Sequence, residues 1–167
     1  MAGGPGSYVF GAEEKKELMD VIEAGSLFRY GTIGVDGFQG KVATFEKEVA
    51  ELLGHKFVFA TNSGTSSLMA CLAALGIGMG DEVIVPGYTF IASISTIAMM
   101  NATPVLAEID ESLTIDPDKI EALITPKTKA IIPVHMLGNP CKMDRIMEIA
   151  KKHNLYVIED KSEAKRS

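Results

Sequence analysis

The chain has 167 residues, of which 47% are hydrophobic and 23% charged, and its formal net charge is −6. This length predicts one domain with its own core, and the interleaved acids and bases form neither a basic stripe for nucleic acid nor a charged disordered tail. Glycine, proline or charge interrupts every apolar run, so we expect no membrane-spanning segment. The two cysteines are far apart and the N-terminus lacks a signal-peptide pattern, so we expect a cytoplasmic protein with reduced thiols.

The N-terminal part of the sequence predicts two helices separated by a loop. Residues 12–24 carry apolar side chains on one face and stop before Gly25, and residues 38–53 do the same before Gly54. The glycine-rich stretch between these helices has no periodicity and predicts a loop, as does the stretch at 1–11. We therefore expect a helical segment over about residues 11–54.

A strand, a polar turn and a helix are predicted between residues 57 and 75. Residues 57–59 are an apolar run typical of a buried strand, and apolar residues recur at helical spacing from Leu68 until Gly76. Between them, residues 61–66 are small and polar, so the helix would begin with free backbone N–H groups and a partial positive charge. Such an end favours phosphate, although these residues also fit an ordinary capped turn.

Beyond Gly76 the sequence alternates between short strands and helices. We predict strands at residues 82–85, 104–109, 129–134 and 155–158, and helices at residues 89–100, from 117 and from 143. Thr89 and Asp116 are the expected N-caps of the first two of these helices. This alternation predicts the α/β class, with a mostly parallel sheet covered on both faces in a three-layer αβα arrangement.

Several polar or aromatic residues come directly after predicted strands. They are the turn at 63–66, the Thr89-Phe90 pair, His135 and Asp160. Ligands of open parallel sheets bind at the carboxyl ends of the strands, so we expect these residues to share one site. His135 also fits a structural position, and because the three histidines have no metal-ligand spacing we expect no metal.

Ordered motifs give this sequence a resemblance to a known family. They are TNSGTSSL from Thr61, GDEVIVPGYTFIAS from Gly80, ATPVLAEID from Ala102, AIIPVHMLGNP from Ala130 and LYVIED from Leu155. Over about residues 11–160 the chain resembles the DegT/DnrJ/EryC1/StrS sugar aminotransferases. These are fold-type-I, aspartate-aminotransferase-like enzymes that use pyridoxal 5′-phosphate (PLP), so the resemblance implies that fold and that cofactor.

The resemblance implies cofactor-binding roles for five residues. Gly64 and Thr65 would bind the PLP phosphate, Phe90 would stack on the pyridine ring, and Asp160 would pair with the protonated ring nitrogen. Glu163 would lie beside the ring, where the family usually has glutamine, so this sequence adds a second carboxylate. Without the resemblance, Phe90 would also fit core packing and Asp160 an ordinary strand end.

The sequence departs from the family pattern after Asp160. Family members continue to a segment whose lysine forms a Schiff base with PLP, and then to a small C-terminal domain. Lys161 and Lys165 do not have that lysine's sequence context, and Lys161 is expected to point away from the site. We therefore expect residues 1–167 to be an incomplete PLP-binding large domain, with no catalytic residue assigned and no activity as an isolated chain.

The resemblance implies transfer of an amino group from glutamate or glutamine to a keto-sugar or related cyclic ketone, such as a cyclitol derivative. It also implies a homodimer, without a nucleic-acid or membrane partner. Two alternatives stay open. One is a noncatalytic remnant that binds the PLP phosphate or dimerises, and the other is a nucleotide-binding α/β protein without PLP, in which the motif placements would be coincidental.

Overall fold

The computed structural model describes residues 9–163, and the chain divides after Ala60 into two units. The first unit contains helices α1 (Ala12–Ala24) and α2 (Lys41–Leu53). Both end at a glycine in the left-handed conformation, as predicted. Helix α2 begins three residues later than predicted, because Gly40 has a φ of 64° and cannot continue a right-handed helix. Of the predicted N-terminal loop, residues 1–8 lie outside the described residues.

The prediction of a buried strand at residues 57–59 is wrong. No strand pairs with this segment in the described part of the chain, and Phe57 and Phe59 are 81% and 65% exposed. Two side chains bind the backbone of Ala60, the residue that follows this segment. The Ala60 N–H donates to the Glu46 carboxylate at 2.7 Å, and the Ala60 carbonyl accepts from Arg29 at 2.8 Å. The Arg29 guanidinium also lies 4.3 Å from the Phe59 ring centroid. Side-chain hydrogen bonds to Ala60 and a cation over an exposed aromatic ring are thus found where a buried strand was predicted.

The second unit is a parallel sheet with helices on both faces. Its elements are α3 (Gly64–Ala74), β1 (Glu82–Pro86), α4 (Ile91–Met99), β2 (Thr103–Ala107), α5 (Pro117–Ile120), β3 (Thr128–Ile131), α6 (Met143–His153) and β4 (Tyr156–Val157). The strand order is β2-β1-β3-β4, and every pair is parallel. The predicted α/β class, the parallel sheet and the three layers are confirmed.

The two faces of the sheet pack against different helices. Val83 and Val85 of β1 lie in one apolar cluster with residues of α3 and α4, whereas Ile84 lies in a second cluster with residues of α5 and α6. This alternation follows from the period of two along a strand. All three side chains are fully buried, which explains why these positions form a continuous apolar run rather than an alternation of apolar and polar residues.

The third strand ends earlier than its sequence predicts. Strand β3 stops at Ile131, although the apolar run continues to Val134. Pro133 cannot donate a ladder hydrogen bond. One parallel bridge forms beyond it, between Val134 and Asp160, and it brings the two chain segments together at the carboxyl edge of the sheet. Strands β1, β2 and β4 also differ from the prediction by one or two residues at their ends.

Thr89 is not the N-cap of α4, which corrects the prediction. Phe90 occupies that position in an extended conformation, without a side-chain capping bond, and the Thr89 hydroxyl donates to Ser93 instead. Asp116 does cap α5, since its side chain accepts from the Asp118 N–H. Among residues 9–163 no helix has both the length and the apolar character needed to cross a bilayer.

Candidate functional site

A cavity of about 290 Å³ lies in the second unit, at the N-terminal ends of α3 and α4. Its lining includes all five residues predicted to bind a cofactor, which are Gly64, Thr65, Phe90, Asp160 and Glu163. They come from three separate parts of the sequence, and the parallel topology brings them together at the carboxyl edge of the sheet. The expected convergence is found for Gly64, Thr65, the Thr89-Phe90 pair and Asp160, but it is wrong for His135, which does not line the cavity. The cofactor roles of the lining residues stay a prediction.

The N-terminus of α3 supplies hydrogen-bond donors to this cavity. Ser63 caps the helix, and its hydroxyl oxygen accepts from the Ser66 N–H at 3.1 Å. The N–H groups of Gly64 and Thr65 have no protein acceptor among residues 9–163. Because the aligned peptide dipoles of an 11-residue helix place positive charge at this end, these two groups can bind an anion.

Gly64 lies close to the segment that follows Asp160. A Cβ atom at Gly64 would be 3.3 Å from the Ser162 hydroxyl oxygen, which is a tight contact. A larger side chain would therefore press against the residue that binds the Asp160 carboxylate. The helix end and the carboxylate are thus neighbours within one small site.

Asp160 is 6% exposed and accepts three hydrogen bonds from neutral groups. Its Oδ2 accepts from the Ser93 hydroxyl at 2.9 Å. Its Oδ1 accepts from the Ser162 N–H at 3.0 Å and from the Ser162 hydroxyl at 2.6 Å. Hydrogen bonds to an ionised group are short and strong, so these donors fix the orientation of the carboxylate.

No cation pairs with Asp160 in the described part of the chain, because all of its partners are neutral. Burying an ionised carboxylate without a cation carries a large desolvation cost. A ligand that brought a positive charge into the cavity would offset this cost. The site is therefore suited to a molecule with an anionic group near α3 and a cationic group near Asp160.

Phe90 presents an open aromatic surface at the same cavity. Its side chain is 66% exposed, which contradicts the alternative of core packing. The apolar face of an aromatic ring can stack on another flat ring. Glu163 lies at the edge of the cavity, where its carboxylate accepts from the Leu137 N–H at 2.8 Å. Leu137 has a φ of 54°, so this bond satisfies the backbone of a left-handed turn.

His135 lies at this edge of the sheet but is bonded within the protein and does not line the cavity. It is 1% exposed, and its Nδ1 accepts from the Cys141 N–H at 3.0 Å. The ring hydrogen therefore resides on Nε2, which donates to Glu159 at 2.7 Å. Lys161 lies 3.2 Å from the same carboxylate, so its ammonium group points away from the cavity, as expected.

The charge of Glu159 is stabilised by these two neighbours. Partial burial acts to raise the pKa of Glu159, but the hydrogen bonds from His135 and Lys161 outweigh this effect and keep the pKa below its ordinary value. Glu159 is thus a structural anion with cationic and imidazole partners, in contrast to Asp160.

Sequence reasoning missed Ser93 and Ser162, the two side chains that bind Asp160. Both had a recognisable signal. Ser93 lies four residues after Thr89, a spacing at which the predicted helix from residue 89 would bring the two hydroxyls together, and Ser162 lies two residues after an aspartate, where Asx turns form.

The motif resemblance agrees with a direct comparison. A model of the DegT/DnrJ/EryC1/StrS aminotransferase family matches residues 11–167. The chain belongs to this family. GDP-perosamine synthase of Caulobacter vibrioides is 52% identical over 124 residues, which cover 74% of this chain and 33% of the synthase. L-glutamine:2-deoxy-scyllo-inosose aminotransferase of Streptomyces kanamyceticus is 50% identical over 104 residues, which cover 62% of this chain and 24% of that protein.

The fold is also that of solved family members. The crystal structure of ntda from Bacillus subtilis with bound cofactor PMP, the amine form of PLP, superposes with a TM-score of 0.83 at 35% identity. The superposition covers 96% of this chain and 36% of that one. This chain therefore has a fold-type-I aminotransferase architecture and spans between 24% and 36% of the length of these three relatives.

Proposed function

We propose that these residues belong to a PLP-dependent aminotransferase that moves an amino group from glutamate or glutamine to a keto-sugar or related cyclic ketone. The observation that carries this proposal is the buried Asp160 carboxylate, which lacks a cation within residues 9–163 and shares its cavity with the α3 N-terminus. The names of the relatives support the substrate class, because they describe a sugar-nucleotide enzyme and a glutamine-dependent inosose aminotransferase.

The residues of the cavity fit PLP. Gly64 and Thr65 would hold the phosphate through their free N–H groups and the Thr65 hydroxyl, at the positive end of α3. Phe90 would stack on the ring, and Asp160 would keep the ring nitrogen protonated by pairing with it. When bound, the cofactor supplies an electron sink for amino-group transfer. Glu163 would lie beside the ring and add a second negative charge there.

The covalent attachment of PLP requires a lysine that we do not assign within residues 9–163. No lysine lines the described cavity, and Lys161 is paired with Glu159. Lys165 lies outside the described residues. Within residues 9–163, this observation supports a second proposal, a noncatalytic module that binds PLP reversibly through its phosphate and ring.

We further propose that the intact enzyme is a cytoplasmic homodimer. The first unit exposes large apolar side chains, including Leu18, Phe28 and Phe57 at 64%, 83% and 81% exposure. Apolar surface of this kind is typical of subunit interfaces. Cys71 and Cys141 are both free thiols, which favours a reducing compartment.

Titration of the 167-residue chain with PMP and with PLP tests the cofactor proposal. We expect saturable binding of both, followed by the change in cofactor absorbance, and no lysine labelled after borohydride reduction and mass spectrometry. Absence of saturable binding would contradict the proposal. A labelled lysine within residues 9–163 would contradict the view that the described part of the chain lacks the attachment residue.

The aminotransferase and the noncatalytic module differ in one further result. If the PMP-loaded chain converts a keto-sugar into an amino sugar, the chain has transferase activity. If it binds PMP and releases no amino sugar, the noncatalytic module describes the isolated chain.

A further inference from the structure

We propose that Ser93 is a positioning residue that acts through Asp160 and holds the carboxylate oxygen that receives the ring N–H of the cofactor. This role rests on the proposed function and extends it to a residue of α4. The supporting observation is a chain of two hydrogen bonds, from Thr89 to Ser93 and from Ser93 to Asp160.

The donor and acceptor in each of these two hydrogen bonds follow from the chemistry of the Asp160 carboxylate. An ionised carboxylate can accept hydrogen bonds but cannot donate them, so the Ser93 hydroxyl donates to Asp160 at 2.9 Å. The Ser93 oxygen is then free to accept from the Thr89 hydroxyl at 3.1 Å. Hydroxyls linked in this way polarise one another, so Thr89 strengthens the bond that Ser93 makes.

The two carboxylate oxygens of Asp160 are occupied unequally. An ionised carboxylate has about four acceptor sites, two on each oxygen. Ser162 fills both sites on Oδ1 with its N–H and its hydroxyl, whereas Ser93 provides the single bond to Oδ2. The remaining acceptor site is therefore on Oδ2, the oxygen that Ser93 holds in place.

Burial makes this positioning effective. Ser93 is 2% exposed and Asp160 is 6% exposed, so water cannot readily replace the serine hydroxyl. Loss of the hydroxyl would free the carboxylate to rotate about the Ser162 contacts. The carboxylate would then meet the ring nitrogen less favourably, even though its charge was unchanged.

A purely structural role for Ser93 would have a different consequence. Ser93 lies in the first turn of α4, where its N–H donates to the Phe90 carbonyl at 3.0 Å. A substitution that only disturbed this turn would weaken every ligand of the cavity alike. A positioning role affects only a ligand with a protonated ring nitrogen.

The experiment compares two probes on the 167-residue chain: PMP and its 1-deaza analogue, in which C–H replaces the ring nitrogen. We expect Ser93→Ala to weaken PMP binding about ten-fold and to leave binding of the analogue unchanged. Ser93→Thr keeps the hydroxyl and should restore PMP binding. Ser95→Ala is the matched control, a serine of the same helix outside the cavity, and it should alter neither affinity.

Three outcomes would overturn this role. Equal weakening of both probes by Ser93→Ala would show a structural effect, and no weakening of either would show that Asp160 does not need Ser93. If Ser93→Ala fails to fold, Ser93→Cys replaces the hydroxyl by a weak donor of similar size, and an unchanged ratio of the PMP and analogue affinities in that variant would also refute the role. Failure of the unaltered chain to bind PMP would instead refute the proposed function. The outcomes above refute only the role of Ser93, in a chain that does bind PMP.

Discussion

Replacing Asp160 by asparagine should separate ligand binding from stability. Asparagine has nearly the same shape, but it has one acceptor oxygen instead of two and carries no charge. If its oxygen accepts from Ser162, its NH₂ group faces Ser93, whose hydroxyl can rotate and accept. The polar groups around residue 160 then remain largely paired in the free chain.

The expected changes in stability and in PMP affinity follow from the interactions that the free chain and the complex each lose. The folded chain without ligand loses a buried charge that has no cation partner within residues 9–163, so we expect the free energy of unfolding to stay within about 1 kcal/mol of the original value. The complex loses a hydrogen bond to a charged group, worth about 1.5–3 kcal/mol. This corresponds to PMP binding that is weaker by about 10- to 100-fold.

The assay is a PMP titration combined with urea unfolding of the same samples. Asp110→Asn is the control, because Asp110 is also a hydrogen-bonded carboxylate of the second unit but lies outside the cavity. Its PMP affinity should be unchanged. PMP binding by Asp160→Asn that is as tight as in the original chain would refute the pairing of Asp160 with the cofactor. A free energy of unfolding that is lower by more than about 3 kcal/mol would assign Asp160 a structural role.

Three further predictions concern the phosphate end of the site, pH dependence and the core. Thr65→Val keeps the side-chain shape without the hydroxyl and should weaken PMP binding about ten-fold, whereas Thr65→Ser should not, as titration would show. Hydrogen bonds from Lys142 and Ser112 lower the pKa of Asp110 to about 2, so the stability that this pair contributes should be complete above about pH 4 and be lost as pH falls through 2. The difference in thermal midpoint between the original chain and Lys142→Met should shrink over that range, and a difference that persisted at low pH would contradict this assignment. Leu72 is fully buried, so Leu72→Ala should destabilise the chain by about 2–5 kcal/mol in urea unfolding, and a loss below 1 kcal/mol would place Leu72 outside the core.

Local sequence signals predicted the helices of this chain well. Gly25 and Gly54 mark the ends of α1 and α2, and Asp116 with Pro117 marks the start of α5, because each of these residues has a backbone or capping preference that acts within a few positions. Strand β1 was likewise predicted from a local apolar run, at residues 82–85. Such features depend little on distant parts of the chain.

Features that depend on distant partners were predicted less well. The apolar run at 57–59 has the composition of a strand, but a strand needs a neighbour, and this segment is bonded by Arg29 and Glu46 instead. Residue types alone do not reveal which partner a backbone group will find. For the candidate site, the motif order identified five lining residues, whereas the bond between Ser93 and Asp160 joins residues 67 positions apart and appears only in three dimensions.

The nitrogen NMR signal of ring-labelled PMP bound to this chain tests the central claim most directly, because it reports whether the ring nitrogen carries a proton. We predict that the bound ring stays protonated at pH values where free PMP has lost this proton, since the buried Asp160 carboxylate stabilises the cation. In Asp160→Asn this stabilisation should disappear. A bound ring that loses its proton at the same pH as free PMP in the original chain would contradict the pairing of Asp160 with the cofactor.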